Sequence, residues 1–118
     1  MAKYFTISEF DCKCGCGRNN INPLLIMGLD RARKKAEVPF VVLSGYRCPI
    51  HNKKSGGSPT SGHISGDAAD IWAKDGATMF RVVSGLLAAG FTRIIIYKRG
   101  FVHTDLSMDK PQGMWVME

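Results

Sequence analysis

No apolar run in these 118 residues approaches the ~20 that a membrane-crossing helix needs; stretches such as Ile94-Ile95-Ile96 are far too short, so a spanning helix is excluded. The N-terminal stretch Met1 to Phe10 lacks the apolar centre of a secretory signal peptide, which argues against export by a general secretory route. No internal repeat appears, and no block of five or more like charges marks a disordered interaction tail. Acidic residues are outnumbered: 10 Asp+Glu face 16 Lys+Arg, a formal charge of +6. That sign steers anionic partners toward the chain without choosing among nucleic acid, wall phosphates and the carboxylates of cell-wall peptides. Aromatics are only 9% of residues, few for stacking on bases.

What is present is the balance of an ordinary folded domain, with 45% hydrophobic and 22% charged residues. The low-complexity stretch Lys53 to Gly62 would leave halves too small to fold separately if it were a linker. It reads instead as a loop within one domain covering residues 1–118. Asn22-Pro23 is a helix start, and Leu25, Leu29, Ala32 and Ala36 recur at helical spacing, predicting a helix over Pro23–Ala36 with a solvated basic face from Arg31 to Lys35. Strands are expected at Phe40–Ser44, Ala68–Ala73, Thr92–Tyr97 and Phe101–Leu106, with Met114–Met117 as a short edge. A second helix is expected over Met79–Ala89, ended by Gly90. That order predicts an α+β domain with a mostly antiparallel sheet flanked by two or more helices.

Four cysteines stand at Cys12, Cys14, Cys16 and Cys48. Their alternating spacing does not match the C-x-x-C knuckle of common zinc ribbons. Reduced cysteines in a tight Gly-rich loop are the first reading, and a thiolate metal cluster or a bridge closed by Cys48 is the alternative.

The chemistry-bearing stretch is Ser61-Gly62-His63-Ile64-Ser65-Gly66-Asp67-Ala68-Ala69-Asp70. Gly62 and Gly66 let the turn fold back so that His63 and Asp70 converge. Nitrogen and oxygen donors suit a Zn²⁺ site that needs a third ligand and an open position for water. His103 is the third candidate, because strand alternation puts Phe101, His103 and Asp105 on one face. Taken singly, each residue has an ordinary reading: a His in a Gly-rich loop as a polar surface residue, an Asp after a turn as a cap.

Taken together, the pieces resemble a family. Ser61-x-His63, Gly66-x-Ala68-x-Asp70 and hydrophobic-His103-x-Asp105 look like the signature of the zinc D-alanyl-D-alanine carboxypeptidases and L-alanyl-D-glutamate endopeptidases, which share a fold with Hedgehog signalling domains. Ser44-Gly45-Tyr46-Arg47-Cys48-Pro49-x-His51-Asn52, the Gly56-Gly57 pair, and the opening Phe5 to Cys16 extend the likeness, the last resembling a short branch common in phages and prophages. The resemblance implies zinc ligands His63, Asp70 and His103. It implies that Arg47 polarises the scissile carbonyl or holds a substrate carboxylate, and that Ser61 and Tyr46 lie beside the substrate. The family usually carries a proton-accepting residue shortly before the last His, whereas here Arg99, Gly100, Phe101 and Val102 stand there. Asp105 then either takes the catalytic proton or orients His103, the orienting role being favoured, with His51 and Asp67 as weaker candidates for the base.

The implied protein is a monomeric peptidase of peptidoglycan stem peptides, a phage or prophage lysin. It would be made in the host cytoplasm and act at the wall or periplasm after release, or ride on the virion, with no nucleic-acid or membrane partner. Two rivals remain: a non-catalytic zinc-containing wall-binding or virion module, and a small basic Cys/His nucleic-acid binder that would leave the His-to-Asp spacing unused.

Overall fold

The computed structural model describes residues 3–118; Met1 and Ala2, part of the N-terminal stretch read above, lie outside the described residues. After a short 3-10 turn at Ile7–Phe10 come α1 (Pro23–Ala36), β1 (Val42–Ser44), α2 (Pro49–Lys54), α3 (Gly62–Ser65) and β2 (Ala68–Trp72). The chain continues through α4 (Gly76–Ala88), β3 (Arg93–Tyr97), β4 (Phe101–Asp105) and β5 (Gly113–Met117). Among the described residues no helix is long and apolar enough to cross a membrane.

α1 keeps its expected bounds. The Asn22 side chain accepts from the Leu24 N–H, Pro23 occupies the first turn, and Leu25, Leu29, Ala32 and Ala36 form the buried stripe. Three basic residues, Arg33, Lys34 and Lys35, occupy its last turn, where the helix dipole favours them. α4 starts three residues before the expected Met79, because Asp75 caps it by accepting from the Thr78 N–H at 2.8 Å. The two helices pack closely through Gly85, where a Cβ would collide with the Ala32 carbonyl and the Ala36 methyl.

The sheet has the order β1-β2-β4-β3-β5. Every pair is antiparallel except β3 with β5, which runs parallel at the edge. β1 is shorter than the expected Phe40–Ser44: Phe40 turns into the core and the register shifts between Val42 and Ser44. One sheet face, carrying Ala69, Ile71, Ile94 and Val102, packs on α1 and α4 with Leu25, Leu29, Val82 and Leu86. Each such large side chain contributes about 1.5–3 kcal/mol by burial. The opposite face therefore need not be apolar, and it carries the polar side chains.

The segment expected as a loop from Lys53 to Gly62 is partly helical at both ends. α2 begins with Pro49 and has the Cys48 sulfur accepting from the His51 N–H; α3 is a single turn capped by Ser61. Neither is long enough to show an apolar period.

Candidate metal centre and cleft

Strand register assembles the centre. Ser44 of β1 lies opposite Asp70 of β2, and Asp70 lies opposite His103 of β4. Alternation along β4 places Phe101, His103 and Asp105 on the open face, as the sequence suggests, where they line a cleft of about 600 Å³. α3 delivers His63 to the same place. Ser61 accepts from the His63 N–H at 3.1 Å, and Gly66 ends the turn at φ +80°, where a Cβ would run into the Asn20 carbonyl.

The ring atoms identify themselves by their neighbours. His63 Nδ1 sits 2.7 Å from the Gly45 carbonyl, which can only accept, so Nδ1 is the donor and, in the neutral ring, Nε2 carries the lone pair. His63 Nε2 is buried without a hydrogen-bond partner, although it approaches Asp70 Oδ1 to 3.3 Å. A lone pair facing a carboxylate oxygen calls for a cation or a proton between them. His103 Nδ1 lies 2.9 Å from the same Asp70 oxygen, while its Nε2 is 2.7 Å from Asp105 Oδ2. The ligand atoms of His63, Asp70 and His103 all fall within 4.8 Å of one another. At the ~2.0–2.1 Å bond lengths of zinc with nitrogen and oxygen, ligands at tetrahedral corners sit about 3.3 Å apart, so the donor set fits such an ion.

Electrostatics follow from this packing. Burial alone pushes the Asp70 carboxyl up, but the bond to the His103 ring and the closeness of both imidazoles outweigh it, and the group is held well below the usual carboxylate range. Burial pulls His103 down, yet bonding to Asp105 and Asp70 wins and raises it. Asp105 is likewise pushed up by burial and lowered overall, chiefly by His103. Its Oδ2 also accepts from Arg93 Nε at 3.0 Å and its Oδ1 from the Ser107 N–H at 3.0 Å, so both carboxylate oxygens are engaged.

Arg47 reaches the centre from the β1–α2 connection. Its Nε donates to Ser44 Oγ at 3.1 Å and one terminal nitrogen to Asn52 Oδ1 at 3.2 Å; the other terminal nitrogen lies 3.5 Å from Asp70 Oδ2. Ser61 and His51 also line the cleft. Tyr46 does not: it is 7% exposed and packs with Cys12 and Cys48, and its N–H is tied to the Phe10 carbonyl. Asp67 lies away from the cleft too, accepting from the Asn22 side chain at 3.0 Å.

Four roles escape a reading of the sequence alone, three of them at residues of the Ser44 to Asn52 motif. Ser44 and Asn52 hold the Arg47 guanidinium, Arg93 anchors Asp105, and the Gly45 carbonyl sets the His63 tautomer. Asn52 is fully buried, and Gly57 has no room for a Cβ because the Asn52 amide fills the space, which accounts for one glycine of the Gly56-Gly57 pair.

No curated protein sequence matches the chain at a significant level. The family model Peptidase M15 matches residues 3–105, a span that takes in His63, Asp70, His103, Arg47 and Asp105. The sheet, with one face against helices and the other bearing two imidazoles and a carboxylate, is compatible with the Hedgehog/DD-peptidase fold, and the chain belongs to the Peptidase M15 family of metal-dependent peptidases.

Proposed function

We propose that the chain, as one unit over residues 1–118, is a zinc-dependent peptidase cleaving peptide bonds of bacterial peptidoglycan stem peptides, by carboxypeptidase or endopeptidase action, as a phage or prophage lysin. The observation that carries the metal is the unpartnered, buried Nε2 of His63 aimed at Asp70 on the cleft floor. The substrate class is supported by the cleft walls, where Lys13, Arg47, Arg93, Arg99 and Lys110 outnumber the two carboxylates, Asp70 and Asp105, both already paired. Stem peptides carry free carboxylates, which such a surface attracts.

His63 Nε2, an oxygen of Asp70 and His103 Nδ1 would hold the ion, leaving room for water and substrate. When bound, zinc supplies Lewis acidity that makes water nucleophilic near neutral pH and polarises a carbonyl. The Gly45 carbonyl favours the His63 tautomer with its lone pair on Nε2, and Asp105 accepts a hydrogen bond from His103 Nε2, which would leave His103 Nδ1 free to hold the ion. Arg47, held by Ser44 and Asn52, presents its guanidinium to the developing oxyanion or to a substrate carboxylate. Asp105 is committed to three donors and acts as a positioning residue rather than the base. His51 is then the one remaining imidazole on the cleft to receive a proton.

Purified sacculi incubated with the zinc-loaded protein should release new amino groups. Release should stop with a chelator and with His63→Ala/Asp70→Ala. Absence of release by fully zinc-loaded protein would overturn the enzyme reading. The lack of any proton acceptor among Arg99, Gly100, Phe101 and Val102 favours one second reading, a non-catalytic zinc-containing wall-binding or virion module. Undiminished binding to sacculi without cleavage would select it.

A further inference from the structure

The cysteines form a second donor cluster that the peptidase centre does not use. The sulfurs of Cys12, Cys14, Cys16 and Cys48 all lie within 4.8 Å of one another. Cys14 Sγ is 3.4 Å from Cys12 Sγ and 3.7 Å from Cys48 Sγ. Four sulfurs at the corners of a tetrahedron, each ~2.3 Å from zinc, are separated by about 3.8 Å. The distances therefore match a shared ion. One disulfide would use two of these atoms and leave the other two unpartnered, and none is formed among the described residues.

The surroundings suit thiolates. The Cys48 N–H donates to Cys12 Sγ at 3.3 Å and the His51 N–H to Cys48 Sγ at 3.4 Å. Arg18 sits against Cys16 and brings a fixed positive charge toward a centre that would carry excess negative charge. The Cys12-to-Cys16 loop is closed on itself by the Cys12 N–H bonding to the Arg18 carbonyl at 3.1 Å. The C-x-C-x-C pattern lacks the spacing of a C-x-x-C knuckle, but Cys48 arrives from the start of α2 to complete the set, which is the arrangement of the alternative reading of these cysteines.

We propose that Cys12, Cys14, Cys16 and Cys48 bind a second, structural zinc ion, each thiol releasing its proton to solvent on coordination. Four protein ligands leave no open position, so the ion takes no part in hydrolysis. It ties the N-terminal loop to the segment that follows Arg47. That segment is also held by the Tyr46 N–H on the Phe10 carbonyl at 2.9 Å and the Arg47 N–H on the His63 carbonyl at 3.0 Å. The second ion thereby secures the backbone from which Arg47 projects.

The test is metal content and cobalt spectroscopy of the full chain, and neither depends on peptidase activity. Wild-type protein purified under reducing conditions should hold about two zinc ions, one for each donor cluster. His63→Ala/Asp70→Ala should keep one, and Cys14→Ser/Cys16→Ser should keep the other. Cobalt-loaded His63→Ala/Asp70→Ala should retain thiolate-to-cobalt charge-transfer absorption, which imidazole and carboxylate ligands cannot produce. Should the serine variant fail to fold, the cobalt spectra of the wild type and the histidine variant decide the matter alone. Zinc lost completely from His63→Ala/Asp70→Ala with no thiolate absorption would overturn the proposal. So would an intact mass showing a disulfide in protein kept reduced throughout. Loss of sacculus cleavage with the thiolate absorption intact would count against the proposed function and not against this second centre.

Discussion

An imidazole has two nitrogens, and at His103 the neighbours divide them, Nδ1 facing Asp70 and Nε2 facing Asp105. A negative acceptor on the far nitrogen raises the basicity of the near one, which is how a residue that never touches the metal tunes it. Asp105→Asn keeps the shape but removes that charge and the partner of Arg93. Zinc affinity, measured by chelator competition, should fall about 10–100-fold. Unchanged affinity with collapsed turnover would instead make Asp105 the proton carrier. The three donors were legible in the sequence because each sits in a distinctive motif. The partners Asn52 and Arg93 were not, since Asn52 meets Arg47 only through a short helix with no apolar period, and Arg93 meets Asp105 only across a strand pair.

The helices turn local chemistry into a measurable effect. The Asp75 carboxylate caps α4, and the Thr78 backbone N–H, its main cause, lowers its pKa below the usual carboxylate value. A depressed folded-state pKa means stability that is present above the unfolded-state pKa and lost as pH falls through the folded one. Asp75→Ala should therefore lower the urea midpoint near neutrality, and its deficit should close once the wild-type carboxyl protonates. A deficit independent of pH would refute the cap charge. Gly85 makes the opposite test. Alanine is favoured over glycine in a helix by about 1 kcal/mol, but a Cβ here meets the Ala32 carbonyl and the Ala36 methyl. Overpacking of about 1–3 kcal/mol should win, so Gly85→Ala should unfold at lower denaturant, whereas a stabilised variant would mean the helices separate freely. Both long helices and the β3–β4 hairpin were legible from periodicity and punctuation. α2 and α3 were not, since a helix of one or two turns shows no period, and the register shift in β1 leaves no mark in composition.

Across the whole molecule the formal charge is +6, and on the cleft wall five cationic side chains face two carboxylates. Exposed charges are screened over about 10 Å at 0.1 M salt. Capture of an anionic stem peptide should thus weaken as salt rises: KM for soluble stem peptide should climb with ionic strength while kcat stays level. A salt-independent KM would show that the cations serve the fold rather than the substrate. The edge strand β5, exposed along its length, lies beyond the span matched by the family.

The sequence by itself determined the donor types, the α+β order, the bounds of α1 and the likeness to zinc peptidases, because those are written in residues a few positions apart. Tertiary structure decided what depends on segments dozens of residues distant: which nitrogen of His63 is free, that Tyr46 turns inward, and that Cys48 closes on the other three sulfurs. Periodicity is a local property of the backbone. Convergence at a site is set by strand register and by which face of the sheet the helices leave open.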